Sequence, residues 1–520
     1  MSRPASAARS FSVVPAALLV GGVVVIPVAI LAASEIHPAD LVDVWSRPGV
    51  GAAVWFSLWQ ATLSTAFTMT FGLVPTWLVT RYRFPGRALV HLVLAAPFVL
   101  PTVVVGAAFL AVLPDAVDRS VWAIVAAHVF FNVAVVLRTV GPVWSLIDDD
   151  LLAAARTLGA TPWQVWHRII MPLARRALWA SAGLIFLLCA TSFGVVRILG
   201  GPGLATVDVE IYRRAVQLGD TSGATVLAIA QTLAIAAVVT ISLRRRQSAP
   251  TILDRARAAR STRPARWSQR VGVYTAASIM SVPLVALVLA SVRTNDGFSW
   301  RAWRVLLGLE TVSRLQFDLR GVVTTSLLFA LVATSLAVPI GLAAAMSLMH
   351  RPRSSVLTSL LVLPLGTSAV VVGFGILVTY DADPFDLRAR WWLIPLVHAA
   401  IALPFVVRTV LPVLESIPAD LRNAAATLGA SPRRRFWMVD LPVMRPAVTS
   451  AAAMSGALSL GEFGATSFLT RRDTETLPIA VARLLGRAGT LSFTTAMAAA
   501  TLLLVMTMLV ALVVDMEGRR

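Results

Sequence analysis

The sequence predicts an all-α integral membrane protein of about twelve transmembrane helices, arranged as two homologous six-helix halves. Composition is the first reason: 57% of the 520 residues are hydrophobic and 14% are charged, whereas a soluble globular chain carries about 25% charged residues. The second reason is span length. Twelve stretches reach the roughly 20 mostly apolar residues that cover about 30 Å of hydrocarbon at 1.5 Å per residue. The third is an internal repeat, in which the segment around residue 150 returns around residue 420.

The twelve stretches are 12–33, 53–80, 88–113, 119–140, 177–200, 221–243, 271–292, 321–349, 355–380, 391–413, 446–469 and 490–514. Several carry proline (Pro75, Pro97, Pro101, Pro339, Pro364), which membrane helices tolerate because neighbouring groups satisfy the freed carbonyls. The first stretch is longer than the apolar core of a signal peptide and no small-residue cleavage site follows it, so it reads as a retained helix.

Arginine sets the orientation. The chain has no lysine, so its 45 basic residues are all arginine, and the net charge is +19. With the N-terminus (Arg3, Arg9) placed in the cytoplasm, the inner segments hold 29 arginines against nine acids and the outer ones 16 against 17. This is the positive-inside pattern, with both termini cytoplasmic. It places the basic charge beside a membrane surface rather than on a nucleic acid. The lack of lysine also removes the Walker-loop residue that holds the β/γ-phosphates, so the chain does not hydrolyse ATP by that route. Cys189, the single cysteine, lies in an apolar run and reads as a small buried hydrophobe.

The repeat organises the chain. Arg138–Pro162 and Arg408–Pro432 agree at 15 of 25 positions, at an offset of 270. Upstream, Ser57 and Gly72 match Ser326 and Gly341, and Pro97 and Gly106 match Pro364 and Gly373; downstream, Pro172 matches Pro442. Residues 1–243 therefore form one half and 271–520 the other, and an even number of spans between the copies makes the halves parallel. The arginine-rich, proline-broken stretch 244–270 is a cytoplasmic basic linker, suited to anionic lipid.

The most similar part of the repeat is polar. In a first loop (148–176) and a second loop (418–445), a short helix (151–158, 421–428) stops at Gly159 or Gly429, where glycine can take a left-handed cap. A second short helix starts at Thr161-Pro162 or Ser431-Pro432, with the hydroxyl as N-cap and proline at the first helical position. It is expected to end before Met171-Pro172 or Leu441-Pro442.

These residues resemble the cytoplasmic EAA loop of ABC importer permeases, EAA-x3-GA-x5-F-x2-I-x-LP. The first copy supplies Ala153-Ala154-Ala155, Gly159-Ala160, Trp166, Ile169 and Met171-Pro172. The second supplies Asn423-Ala424-Ala425, Gly429-Ala430, Phe436, Val439 and Leu441-Pro442. Both lack the leading glutamate, which leaves the ATPase contacts open. The resemblance implies the type I ABC importer permease fold in a bacterial inner membrane. It implies two copies of a separate ATPase, which carry the ATP-Mg, so that this chain needs no cofactor. An extracytoplasmic solute-binding protein completes the system. It further implies that the loops seat in the ATPases with Gly159/Ala160 and Gly429/Ala430 as contact turns and Trp166 and Phe436 as apolar anchors.

A fused permease of this length resembles the thiamine and ferric-iron group. Residues 188–220, with the turn Gly200-Gly201-Pro202 and the segment ending near Glu210-Ile211-Tyr212, look most like thiamine permeases. Residues 459–487 are common to both. Ferric iron is the alternative, with phosphonate or sulfate behind it. Glu462 lies in an apolar stretch, where an ionisable side chain is functional by default; it either faces the pathway, is neutralised by a neighbouring helix or lies near the outer interface. Outer segments near 34–52, 200–220, 293–320 and 381–390 are expected to receive the binding protein. There Trp300, Arg301, Trp303 and Arg304 are either contacts or part of an interfacial aromatic belt. A secondary transporter also has twelve spans in two parallel halves, but it predicts charges paired within spans and no repeated polar loop. For an enzyme, the six histidines form no H-E-x-x-H cluster and no G-x-S-x-G elbow is present.

Overall fold

A computed structural model describes residues 13–34, 38–243, 263–294, 297–310, 312, 318–350, 361, 363–365, 367–381, 387 and 390–518. The first half contains α1 (Val14–Ala33), α2 (Val50–Arg81), α3 (Arg87–Val99 and Thr102–Val112), α4 (Val121–Thr139), α5 (Pro162–Ala190) and α6 (Thr221–Leu243). The second contains α7 (Trp267–Ala290), α8 (Leu319–His350), α9 (Ala369–Tyr380), α10 (Leu393–Glu415), α11 (Leu441–Gly461) and α12 (Thr490–Gly518). Among the described residues nine helices are long and apolar enough to cross a bilayer, ten when the two parts of α3 count as one span. Of the expected twelve, α9 has 12 residues, and most of 355–362 lies outside the described residues. Helix α11 has 21 residues but is diluted by Arg445 and by serine and glycine.

The repeat is a repeat of contacts. Gly72 of α2 lets Val136 of α4 approach to 3.1 Å from where a Cβ would stand, and Gly341 of α8 does the same for Val406 of α10 at 2.6 Å. Ser57 Oγ accepts from the Val207 N–H at 2.9 Å, and Ser326 Oγ accepts from Leu477 at 2.8 Å. Each bond satisfies one orphan amide at a helix start. His128 bridges Ser64 (3.1 Å) and Ser192 (2.8 Å), and His398 bridges Ser459 (2.7 Å) and Thr466 (2.9 Å). Buried polar groups are tolerated in a bundle only when paired in this way.

Proline shapes α3, which bends by 111° between its parts at the 3-10 turn Ala96–Val99 and Pro101. A 3-10 turn at Leu363–Leu365 precedes α9 in the same way. The halves interlock: α1 lies on the second half, with Tyr380 Oη donating to the Gly22 carbonyl at 2.7 Å and Pro27 Cβ 3.1 Å from the Cβ position of Gly375. Conversely, α7 packs on α3. Residues 244–262 of the linker lie outside the described residues. Its end pairs Arg263–Pro264 in parallel with Tyr82–Arg83, and Tyr274 Oη donates to the Pro85 carbonyl at 2.7 Å. The linker exit is therefore stitched to the end of α2 that also meets the first loop.

Candidate functional site

In each loop a helix, Asp149–Thr157 or Ala419–Thr427, runs into a left-handed glycine, φ +83° at Gly159 and +80° at Gly429. The Ala160 N–H donates to the Ala155 carbonyl at 3.1 Å and the Gly159 N–H to Arg156 at 2.9 Å. The second loop repeats both bonds, Ala430 to Ala425 at 3.0 Å and Gly429 to Ala426 at 2.9 Å. This paired-bond cap explains the Gly-Ala dipeptide. Glycine takes the positive φ, and a small residue follows where its amide must reach back five positions to Ala155 or Ala425.

The chain then restarts at once. Thr161 accepts from Gln164 N–H while the Gln164 side chain accepts from Thr161 N–H, and Ser431 accepts from Arg434 N–H. The expected stop before Met171-Pro172 and Leu441-Pro442 is corrected. The helix continues from Pro162 to Ala190, and from Pro432 through α11, by way of a π-turn at Trp166–Ile170 or Phe436–Asp440. Pro172 and Pro442 have no N–H and their rings crowd the carbonyl four residues back. A wide turn there relieves both problems without breaking the helix. The loop is thus one rigid body with the span that follows it.

Placement of the side chains divides the predicted residues. Ala153, Ala154, Asn423, Ala424, Gly159, Gly429, Pro172 and Pro442 are exposed, and Ala155, Ala160, Ala425 and Ala430 are half-buried. Trp166 and Phe436 are turned into their own bundle rather than outward. Trp166 packs edge-on to Trp77 at 5.5 Å and lies 5.9 Å from Trp144, and Phe436 is buried. The apolar groups open at the corners are Leu158 and Leu428, each 88% exposed; Trp163 in the first loop and Trp437 and Met438 in the second are exposed too. The π-turn rotates the aromatic inward, and a loop pattern alone carries no sign of that rotation.

At the opposite end the expected straight spans 177–200 and 446–469 are also corrected: α5 stops at Ala190 and α11 at Gly461. Short helices Gly194–Leu199 and Thr466–Leu469 follow. Glu462 sits in the second break. Its carboxylate accepts from the Ala465 and Thr466 N–H groups at 2.9 Å each and from the Thr466 hydroxyl, with His398 Nε2 at 3.4 Å. Both oxygens are thus engaged in capping the following helix.

The halves meet here across aromatic rings. Phe193 and Phe463, equivalent at the offset of 270, have centroids 5.3 Å apart, and Tyr212 and Phe468 are 5.2 Å apart. The Arg197 guanidinium lies 4.0 Å over Tyr212. On the short helix Val207–Tyr212, Asp208 accepts from Ser368 Oγ of the second half at 2.7 Å and from Gln231 Nε2 at 3.0 Å. Its other oxygen is buried without a hydrogen-bond partner among the described residues. Burial pushes the carboxyl up to about 7, against the pull of those two donors. Nearby, Arg214 joins Glu210 (2.8 Å), Asp220 (2.5 Å) and the Pro48 carbonyl (2.9 Å), and Arg47 joins Asp220 (2.7 Å) to Asp43. Desolvation works to raise Asp220. Bonds from the Gly223 N–H, Arg214 and Arg47 outweigh it and hold the carboxyl below its ordinary value. Asp208, Phe193 and Arg197 were not singled out by sequence reasoning. The available signal was the alignment of Thr191–Gly194 with Gly461–Gly464, where Phe193 falls on Phe463.

The arrangement has a repeated feature at each end: two cornered helices continued into spans, and two helix breaks packed against one another. Comparison with known proteins agrees. The family model described as "Binding-protein-dependent transport system inner membrane component" matches residues 68–248 and again 337–517. The thiamine transport system permease protein of Brucella abortus (strain 2308) is 26% identical over 465 residues, 83% of this chain and 81% of the relative. That of Escherichia coli (strain K12) is 26% identical over 472 residues, 84% of each. The sulfate transport system permease protein of Salmonella typhimurium is 34% identical over 181 residues, 32% of this chain and 65% of the relative. With two matched domains covering most of its length in one interlocked all-helical bundle of the type I importer permease fold, this chain belongs to the family of inner membrane components of binding-protein-dependent transport systems.

Proposed function

We propose that the chain is a two-domain permease of a thiamine importer, with halves 1–243 and 271–520 joined by the linker 244–270. A solute-binding protein delivers the cargo outside, and two copies of a separate ATPase carry the ATP-Mg and drive the change inside, where both termini lie. The observation that carries this reading is the pair of glycine-cornered helices, present once per half and continuous with α5 and α11. The exposed Leu158 and Leu428 give each ATPase an apolar knob, and Ala153–Ala155 and Asn423–Ala425 a small-residue face.

Thiamine is supported by likeness along more than four-fifths of the chain to permeases of that name. Aromatic faces suit an organic cation, and Phe193, Tyr212, Phe463 and Phe468 gather where the halves meet. Asp43, Arg47 and Asp220, braced by the buried Glu210 and Arg214, give the binding protein a firm surface. On the second half Trp300 is exposed and Arg301 pairs with Glu310.

The test is uptake of labelled thiamine and of ferric iron, side by side, in cells lacking the chain and in cells given it back. Thiamine uptake that depends on the chain supports the reading. Dependence of iron uptake alone keeps the permease and replaces the cargo.

A further inference from the structure

The carbonyls that end a helix have no intrahelical partner and carry partial negative charge, so a cation is well placed there. In the first half that cation is Arg81, the last residue of α2. Its Nη1 donates to the Trp144 carbonyl at 3.3 Å and the Ile147 carbonyl at 2.6 Å, its Nη2 pairs with Asp149, and it is 5% exposed. In the second half Arg422, inside the loop helix itself, donates through Nη2 to the Leu414 carbonyl at 3.1 Å and through Nε to Asp440 at 2.7 Å.

Trp144 and Leu414 are equivalent at the offset of 270, so one carbonyl position is served in both halves. The arginines that serve it are not equivalent. At that offset Arg81 falls on Arg351, which lies outside the described residues, and Arg422 falls on Leu152; Asp149 aligns with Ala419 and Asp440 with Ile170. Each half thus makes the same guanidinium seat from different parts of the chain. The same carbonyl position, Trp144 or Leu414, takes a guanidinium from α2 in one half and from the loop helix in the other, which points to a demand at this position.

We infer that Arg81 and Arg422 are positioning residues that pin the two loops to the bundle, and that they do so unequally. Arg81 ties the first loop to α2 and the end of the α4 segment. Arg422 ties the second loop to the end of α10 and, through Asp440, to the start of α11. A push on the first loop is therefore delivered through its arginine to α2, whereas the arginine of the second loop delivers it to the end of α10 and the start of α11. The inference rests on the proposed reading of these loops as the ATPase contacts. A planar, five-donor guanidinium can reach two or three acceptors at once and an ammonium cannot, so lysine is a partial substitute at both sites.

The experiment uses the full transporter, with its ATPase and binding protein, in phosphatidylethanolamine–phosphatidylglycerol vesicles. ATP hydrolysed and labelled thiamine imported are measured together. Arg81→Gln and Arg422→Gln are expected to retain hydrolysis while import falls, raising ATP consumed per solute by about tenfold, within the range by which mutations between two sites change their coupling. Arg81→Lys and Arg422→Lys should fall between. Asp149→Asn and Asp440→Asn keep side-chain shape and serve if a glutamine variant does not assemble; a raised ratio in them carries the same conclusion. Unchanged ratios in the variants, or import and hydrolysis falling together in step with the protein present, overturn the inference. Gly159→Glu with Gly429→Glu, run alongside, separates the two levels. If that variant transports normally, the reading of the loops fails. If it is inactive while the arginine and aspartate variants keep the normal ratio, only the pins fail.

Discussion

Replacing both corner glycines, Gly159→Glu with Gly429→Glu, is expected to reduce uptake to the level of cells lacking the chain, with the protein still present in the membrane. The two positions have φ of +83° and +80°, and a side chain in that region costs roughly 1–2 kcal/mol. Nothing lies within 4 Å of an added Cβ at either site, so the cost is local and the bundle survives. What is lost is the corner. The chain can relieve the strain only by giving up the Ala160-to-Ala155 and Ala430-to-Ala425 bonds, which redirects Leu158 and Leu428. Immunoblotting of membranes beside the uptake assay checks the result. Gly159→Asn with Gly429→Asn is expected to retain part of the activity, because asparagine tolerates the left-handed region. Normal transport by the glutamate pair would remove these turns from the mechanism.

Gly373→Ala is expected to be the most damaging single-methyl substitution proposed here, although it touches neither loop. The new Cβ would stand 2.6 Å from Ala465 Cα and 2.9 Å from its carbonyl oxygen. Both are backbone atoms that no rotamer change can move. Helix α9 would have to withdraw from the turn that holds Glu462, Phe463 and Thr466, and overpacking of this kind costs about 1–3 kcal/mol. Gly183→Ala in α5 is the control: nothing lies within 4 Å of its Cβ position, and alanine is the better helix former by about 1 kcal/mol. Thermal inactivation of detergent-solubilised protein should show a lower midpoint for Gly373→Ala and an unchanged or higher one for Gly183→Ala. Equal midpoints would mean that the close approach of α9 is not a constraint.

The bundle was legible in the sequence where residue type and spacing have a single physical cause. Gly72 and Gly341 repeat because a valine from the facing helix must come close. Ser57 and Ser326 repeat because a helix start needs an acceptor, and the Gly-Ala dipeptides repeat because a left-handed cap needs both residues. Partner choice was not legible. Nothing in the apolar run of α1 says that it packs on the other half, since leucine and valine faces have no address; the contacts of Gly22 and Pro27 reveal it. The breaks at Ala190 and Gly461 were missed because the residues beyond them are also apolar, and hydropathy does not register a helix that stops and restarts. The inward turn of Trp166 depends on a π-turn forced by a proline six residues on. The Arg81 seat depends on a contact across more than sixty residues, between Arg81 and Ile147.

The two glycine corners are expected to move relative to one another when nucleotide binds to a partner, and one distance measures it. Leu158→Cys and Leu428→Cys, each 88% exposed in the wild type, accept spin labels in a Cys189→Ser background. The label-to-label distance is read in the assembled transporter without nucleotide and with a non-hydrolysed ATP analogue. The account predicts a shorter distance with the analogue, and loss of that change in the Gly159→Glu, Gly429→Glu variant. A distance that stays the same with nucleotide, in a complex shown to transport thiamine, would contradict it.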